Sequence, residues 1–120
     1  MSDMKWLQKQ KHFEWMQKGL ICWKMCEELI SESIQNGKFI GAINSCRDTA
    51  EMCSQCIKFE AQRSPFFQHL CEVCAEICET CSGELYKYKN EDKLVSETIK
   101  ACNEFAISCR DIEKIKEKVS

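Results

Sequence analysis

Eleven of the 120 residues are cysteine, and their spacing follows the period of an α-helix. The cysteines fall into four groups: Cys22 and Cys26; Cys46, Cys53 and Cys56; Cys71, Cys74, Cys78 and Cys81; Cys102 and Cys109. Their spacings keep the sulfurs of each group on one face of a helix. Thiols aligned on several helix faces can meet in one core, and a core rich in sulfur suits soft metal ions.

The composition favours one helical domain spanning residues 1–120. One proline and four glycines leave long uninterrupted stretches, which suits helices better than a sheet with many turns. A hydrophobic content of 44% argues against disorder. The formal net charge of −2 argues against nucleic acid as a partner, because phosphate binding needs a basic excess.

The sequence predicts a cytoplasmic protein that does not enter a membrane. Residues 1–6 (MSDMKW) do not open a secretory signal, and no stretch reaches the roughly 20 apolar residues of a membrane span. Cytosolic thiols stay reduced, and the odd number of cysteines and their helical spacing also disfavour a disulfide scaffold.

Turn residues divide the chain into four helices, at about 4–36, 38–62, 65–87 and 92–117. Asn36-Gly37 ends the first helix, with Gly37 suited to a left-handed C′ position. Ser64 and Pro65 predict an N-cap and a first helical position, and the polar residues 87–92 form the last loop. Short connections make successive helices antiparallel, so we predict an all-α, up-down-up-down four-helix bundle with a cysteine-lined core.

Mirroring the helices about their turns places the cysteines in four adjacent layers. The layers are Cys56, Cys71 and Cys109 with Gly19; Cys22, Cys53 and Cys74 with Phe105; Cys26, Cys78 and Cys102 with Thr49; and Cys46 and Cys81 with Thr98. A further layer of Ala42, Leu85 and Val95 contains no sulfur. We therefore expect a sulfur core that is open near Cys109 and closed by apolar side chains at the other end.

Several segments resemble the four-helix-bundle copper-storage proteins, in particular their cytosolic branch, which lacks a signal sequence. Residues 64–66 (SPF) and 70–81 (LCEVCAEICETC) are similar to the family's SPF…LC-x-x-CA-x-x-C-x-x-C signature. Residues 46–53 (CRDTAEMC) and 22–28 (CWKMCEE) resemble the preceding family segments. The similarity covers about residues 15–110 and is specific in the third helix but loose in the fourth.

The resemblance implies multiple Cu(I) ions held by the core cysteines, cytosolic storage, and a homo-oligomer, often a tetramer. The family pattern has cysteine where this chain has other residues: Trp15, Gly19, Ala42, Thr49, Leu85, Val95, Thr98 and Phe105. The family's histidine-rich connection between the last two helices is replaced by residues 88–92 (YKNED). These departures bear on the capacity and the loading route.

The cysteine pattern suits Cu(I) for a chemical reason. Soft thiolates select Cu(I), zinc and iron–sulfur clusters over hard cations. Because each thiolate carries one negative charge and each Cu(I) one positive charge, a loaded core is close to neutral and avoids the cost of buried charge. We therefore predict all eleven cysteines as metal ligands, for copper storage, buffering or detoxification, with a copper donor protein or a small thiol as partner.

Other functions remain open for the same residues. Buried cysteines also serve as packing residues, which would make the chain a helical interaction module. A thiol-redox or ferredoxin-like iron–sulfur electron carrier is a second alternative, although a straight helix cannot wrap its cysteines around a cluster. Zinc prefers a closed tetrahedron to a continuous row of sulfurs. No catalytic constellation or phosphate loop is present, so we do not predict an enzyme.

Residues beside the cysteines also have expected roles. His12 continues the cysteine face of the first helix and is a candidate entry ligand, whereas His69 is expected on the surface. Met25 and Met52 are expected to be packing residues. The first helix also carries a second apolar set, Phe13, Met16, Leu20 and Trp23, which fits either a wide core face or a subunit interface.

Overall fold

The described part of the chain contains four α-helices. The computed structural model describes the backbone of residues 2–119 and the side chains of residues 5–112. The α-helices are α1 (Ser2–Asn36), α2 (Ile43–Ala61), α3 (Phe67–Leu85) and α4 (Lys93–Val119), and two short 3-10 helices span Ile40–Ala42 and Tyr86–Tyr88. Each α-helix packs against the next one along the chain, and α4 packs back against α1. The predicted up-down-up-down four-helix bundle is confirmed.

The connection from α1 to α2 is longer than predicted. Gly37 has a φ of 66° and its N–H donates to the Ser33 carbonyl oxygen at 2.9 Å, so the predicted left-handed helix end is confirmed. However, α2 begins at Ile43 and not at residue 38. Phe39 also lies in the left-handed region, with a φ of 56°, and its buried ring packs edge-on against Tyr88 at a centroid distance of 5.6 Å. Burial of this ring holds the chain in a turn that a helix from residue 38 would not allow.

The connection from α2 to α3 contains the predicted serine cap in a modified form. The Ser64 hydroxyl accepts a hydrogen bond from the Phe66 N–H at 3.2 Å, which is the bond that an N-cap makes with the second helical residue. Residues 65 and 66 nevertheless form a turn, and α3 begins at Phe67, two residues later than predicted. The Ser-Pro pair therefore marks the turn before α3, and the N-cap position belongs to Phe66.

The connection from α3 to α4 is also shifted. α3 ends at Leu85, two residues earlier than predicted, and the chain continues through the 3-10 helix Tyr86–Tyr88. The Asp92 carboxylate accepts a hydrogen bond from the Leu94 N–H at 2.9 Å, which caps the start of α4. No α-helix among the described residues combines the length and apolar character needed to cross a membrane.

Candidate metal centre

All eleven cysteines lie in the core of the bundle as free thiols with 0% exposure. Every helix contributes: two cysteines from α1, three from α2, four from α3 and two from α4. The spacing of three and four residues produces this result, because it keeps the sulfurs of each helix on its inward face. The cysteines do not form disulfide bonds, which agrees with the interpretation of the spacing as a helical pattern and not a disulfide framework.

Seven of the thiols form a compact group. We call the inner cluster the set Cys22, Cys26, Cys46, Cys53, Cys78, Cys81 and Cys102. Three trios lie within it, and the Sγ atoms of each trio are all within 4.8 Å of one another: Cys22, Cys26 and Cys102; Cys22, Cys53 and Cys78; Cys26, Cys46 and Cys81. Three sulfurs bound at about 2.3 Å to one ion, as in Zn–S bonds, would lie about 4 Å apart. Small movements of the cysteine side chains would therefore let each trio bind one metal ion through its three sulfurs.

The trios are joined to one another through shared sulfurs. Cys22 and Cys26 each belong to two trios, so all three sites form one continuous group. The Sγ atoms of Cys22 and Cys102 lie 3.8 Å apart, and those of Cys46 and Cys81 lie at the same distance. A sulfur that belongs to two sites can bridge two ions, which is the arrangement a multinuclear thiolate cluster needs.

The other four thiols form a looser group. We call the outer cluster the set Cys56, Cys71, Cys74 and Cys109, which contributes to none of the trios found among the described residues. The thiols of Cys56 and Cys109 both raise the pKa of Cys71 and of Cys74, so the four groups are close enough to influence one another. Cys53 and Cys78 of the inner cluster also raise the pKa of Cys74. The eleven thiols thus form one connected network with two parts of different density.

The predicted layers are correct in part. Cys56, Cys71 and Cys109 lie together, as do Cys46 and Cys81. The two middle layers are wrong in detail: the partners of Cys22 and Cys53 include Cys78, which was expected one layer further along. Helical side chains lean toward the N-terminus of their own helix. Because α2 and α3 run in opposite directions, their sulfurs lean toward each other along the bundle axis and meet across layers.

Hydrogen bonds between thiols separate their pKa values in the outer cluster. Cys71 and Cys74 lower the pKa of Cys109 to about 5, and the Trp15 indole acts in the same direction. Cys71 and Cys74 also lower the pKa of Cys56 to about 4. In return, Cys109 raises the pKa of Cys71 and of Cys74 above the usual thiol value. Two sulfurs therefore favour the thiolate form while the two between them retain their protons.

The same division occurs in the inner cluster. Hydrogen bonding with Cys102 lowers the pKa of Cys22 and of Cys81. Cys102 raises the pKa of Cys26, and Cys22 raises the pKa of Cys53. Burial adds to the increase for Cys26 and Cys53, because it disfavours the charged form. The thiols that retain protons must release them when a metal ion binds.

An aromatic layer covers the outer cluster. Trp15 is fully buried, and its indole N–H donates to the Cys109 Sγ at 3.2 Å. Its ring contacts Phe67 edge-on at a centroid distance of 5.2 Å and Phe105 at 5.5 Å. We call this region the aromatic end. The expectation of an open core near Cys109 is wrong, because the buried side chains of Trp15 and Phe67 fill the entrance.

Phe105 depends on a glycine in the facing helix. A Cβ atom added to Gly19 would lie 2.8 Å from the Cζ atom of Phe105 and 2.9 Å from its Cε1 atom. The phenyl ring therefore occupies the space beside α1 that a side chain at residue 19 would need. The sequence contains both residues at predicted core positions, but only the packing shows that they form a complementary pair.

His12 lies at the surface of the aromatic end and not among the thiols. Its Nδ1 is 3.2 Å from Oε2 of Glu60, and its ring centroid is 6.1 Å from that of Phe67. Its Nε2 is buried and has no hydrogen-bond partner among the described residues. A pocket of about 370 Å³ opens here, lined by Gln8, Lys9, His12, Glu60, Arg63, Ser64 and Phe67. His69 is exposed, as predicted.

The opposite end of the core is apolar. Leu29, Ala42, Leu85 and Val95 are all fully buried there, and we call this region the aliphatic end. The three residues of the predicted apolar layer are among them. Its chemistry differs from that of the aromatic end, because hydrocarbon side chains offer no ligand to a metal ion.

The two threonines at predicted core positions use their hydroxyl groups within their own helices. Thr49 donates to the Ser45 carbonyl oxygen at 2.8 Å, and Thr98 donates to the Leu94 carbonyl oxygen at 2.7 Å. Both residues are fully buried. A hydroxyl group satisfied by its own backbone is a poor ligand for a soft cation, so these residues extend the core without adding to its metal sites.

The chain matches a known protein family over most of its length. The sequence profile described as "Csp: Copper storage protein" matches residues 8–114. The chain belongs to the copper storage protein family. The match includes all eleven cysteines and both ends of the core.

Individual relatives agree with this assignment. The uncharacterized cysteine-rich protein YhjQ of Bacillus subtilis (strain 168) is 32% identical over 74 residues, which cover 58% of this chain and 68% of that protein. The structure of Cu(I)-bound copper storage protein BsCsp3 superimposes with a TM-score of 0.79 at 26% identity, covering 85% of this chain and 97% of that one. The apo form of Csp3 from Bacillus subtilis gives a TM-score of 0.74 at 28% identity, covering 82% and 94%.

The second apolar set of α1 divides between the core and the surface of the bundle. Met16 and Trp23 are partly buried and pack against the core, as do Met25 and Met52. Phe13 and Leu20 are 55% and 43% exposed. Neither of the two predicted interpretations therefore accounts for all four residues of the set within one bundle.

Proposed function

We propose that this protein stores Cu(I) on the thiolates of its core. The ligands are all eleven cysteines: Cys22, Cys26, Cys46, Cys53, Cys56, Cys71, Cys74, Cys78, Cys81, Cys102 and Cys109. The observation that carries the proposal is the set of three buried sulfur trios joined through Cys22 and Cys26. Membership in the copper storage protein family supports the choice of copper over other soft metals.

The chemistry of the core accounts for storage of several ions. Each sulfur that belongs to two trios can bridge two Cu(I) ions, so the ions can follow one another along the bundle axis. Each thiolate balances the charge of about one Cu(I), which limits the electrostatic cost of filling a buried site. Loading displaces protons from the thiols whose pKa values are raised, and the affinity for copper decreases as the pH falls.

The empty protein is expected to stay folded. Protonated cysteines behave as small apolar residues, so the metal-free core remains packed. A bundle that fills and empties without unfolding suits storage or buffering, and this role needs no catalytic group. We therefore propose that the chain acts as a single bundle domain and is not an enzyme.

A storage protein also needs a way for Cu(I) to reach the core thiols. We place the protein in the cytoplasm, where thiols stay reduced, with Cu(I) delivered by a donor protein or a small thiol. His12 is the proposed entry ligand, because the residue lines a surface pocket and its buried Nε2 has no hydrogen-bond partner among the described residues. An imidazole nitrogen is a suitable ligand for copper and can bind the ion transiently as it enters.

We also propose that the protein forms a homo-oligomer, a tetramer by resemblance to the family. Phe13 and Leu20 on α1 leave apolar surface uncovered in the single bundle. Sedimentation of the reduced protein should give a mass several times 14.0 kDa, and exchange of both residues for glutamate should reduce it to that of one chain. A monomeric parent protein would contradict this part of the proposal.

The decisive experiment is an anaerobic titration of the reduced protein with Cu(I) in competition with a chromophoric chelator such as bicinchoninate. We expect tight uptake of several equivalents, approaching roughly one per thiol, with ultraviolet thiolate-to-copper absorption and no visible colour. Uptake of fewer than two equivalents would refute storage. A brown protein as isolated would favour the iron–sulfur alternative, and uptake of no metal would favour a helical interaction module.

A further inference from the structure

The core thiols have no direct route to solvent. All eleven cysteines have 0% exposure, including the four of the outer cluster. A Cu(I) ion can therefore reach a sulfur only if a covering side chain moves. The question that follows is which end of the bundle contains that side chain.

The aliphatic end offers a poor route. Leu29, Leu85 and Val95 are fully buried there and have no atom that binds a metal ion. Beyond them, the buried ring of Phe39 packs against Tyr88. An ion entering here would lose its ligands and pass through hydrocarbon before it reached the first thiol, which is costly for a charge.

The aromatic end has candidate ligands on both sides. Trp15 contacts the outer cluster directly through its bond to Cys109, and its other side contacts Phe67. Phe67 in turn lines the surface pocket that holds His12. Two rings therefore separate the His12 imidazole, with its unpartnered Nε2, from the first thiols.

We propose that Trp15 and Phe67 form a gate through which Cu(I) passes between the His12 pocket and the outer cluster. The gate sets the rates of loading and release and leaves the number of bound ions unchanged. This inference rests on the proposed storage of Cu(I). Rotation of the indole breaks one hydrogen bond, to Cys109, and opens a path from the pocket to the thiols.

The packing around the indole limits which part can move. Phe105, on the third side of Trp15, is held in the space that Gly19 leaves and has little freedom to withdraw. Phe67 is the first helical residue of α3 and lines the pocket, so it stands between the indole and the pocket. Movement of Phe67 and Trp15 toward the pocket is the opening that the structure allows.

The test compares exchange rates at the two ends of the core. Trp15→Leu removes the indole, and Leu85→Ala is the control that loosens the aliphatic end. Stopped-flow mixing with excess Cu(I)–bicinchoninate measures uptake, and mixing of loaded protein with excess chelator measures release. Because aromatic contacts and one hydrogen bond are lost, we expect Trp15→Leu to speed both rates by roughly tenfold, with unchanged final equivalents.

The possible results separate the gate from storage itself. Equal acceleration by Leu85→Ala, or unchanged rates in Trp15→Leu, would overturn the gate while a normal final uptake left storage intact. Failure of the parent protein to bind copper would refute storage instead. If Trp15→Leu does not fold, as judged by circular dichroism, Phe67→Leu provides the same test with a smaller loss of volume, and unchanged rates in that variant would overturn the gate.

Discussion

The inner and outer clusters contain the same residue type in the same bundle, yet their geometry differs. The inner cluster has three trios of neighbouring sulfurs, whereas the outer cluster contributes to none. The inner cluster draws on all four helices, but the outer cluster has no cysteine from α1. At that level α1 presents Trp15 and Gly19, and the space is filled by the indole and by the ring of Phe105.

This difference shows that the residues opposite the thiols determine how closely the sulfurs of a core approach one another. At this level the buried rings of Trp15 and Phe105 occupy the space in which α1 and α4 could have placed further sulfurs. Trp15 also supplies an N–H donor to one of the outer sulfurs, which favours the Cys109 thiolate. The number of cysteines therefore sets only an upper limit on the copper capacity, and the two clusters should behave differently.

The largest expected effect comes from removing the sulfurs that join the trios. Cys22→Ala with Cys26→Ala disrupts all three trios, so we expect the tightest Cu(I) affinity to decrease by roughly hundredfold, or about 2.7 kcal/mol. The matched control is Cys56→Ala with Cys109→Ala, which removes two outer thiols and should lower the capacity while keeping the tightest sites. Competition titration measures both quantities. A larger loss of affinity in the control would show that the outer cluster, and not the inner one, contains the tightest Cu(I) sites.

The pH dependence of binding should also distinguish the clusters. Interactions with other thiols, above all Cys71, lower the pKa of Cys109 to about 5 and that of Cys56 to about 4, so these two outer thiols release their protons more readily than an ordinary thiol. Most inner thiols instead retain protons, as Cys26 and Cys53 do, and must lose them on binding. Each displaced proton weakens affinity about tenfold per unit of decreasing pH.

We therefore expect a steeper loss of affinity at the inner cluster as the pH falls from about 8 to about 6. The two double cysteine variants separate the contributions: the variant that keeps the inner trios should show the steeper slope. Competition titrations at several pH values measure the slopes. Equal slopes in the two variants would show that the clusters titrate as one group.

The boundary between the clusters can be tested through Gly19. Gly19→Ala places a Cβ atom 2.8 Å from Phe105, so we expect a net destabilisation of about 1–2 kcal/mol despite the better helix propensity of alanine. Gly83→Ala is the matched control, because nothing lies within 4 Å of its added Cβ and it should stabilise by about 0.5–1 kcal/mol. Urea unfolding of the reduced, metal-free proteins measures both. Stabilisation by both exchanges would show that Phe105 is free to move.

The smallest effect is expected at the edge of the inner cluster. Thr98→Val removes a hydroxyl group that bonds only to its own helix at Leu94, so the stability should change by less than about 1 kcal/mol. The number of bound Cu(I) ions should remain the same, as measured by titration. Thr49→Val, with the equivalent bond to Ser45, is the parallel case. A loss of copper equivalents in either variant would make the hydroxyl group a ligand and enlarge the inner cluster.

Much of the fold could be predicted because its signals are local. The helical spacing of the cysteines, the left-handed Gly37 and the restart at Ser64 depend on near neighbours in the chain. The late start of α2 could not be predicted in this way. It depends on the contact between Phe39 and Tyr88, which are far apart in sequence.

The sequence alone determined that four helices would each turn a row of thiols inward, because the helical period requires it. It also determined the apolar layer of Ala42, Leu85 and Val95. Only the tertiary structure decided which sulfurs become neighbours, since opposed helices shift their side chains along the axis in opposite directions. Only the structure placed Trp15 over Cys109 and closed the end that the sequence predicts to be open, because the reach of a large side chain depends on the helices that it meets.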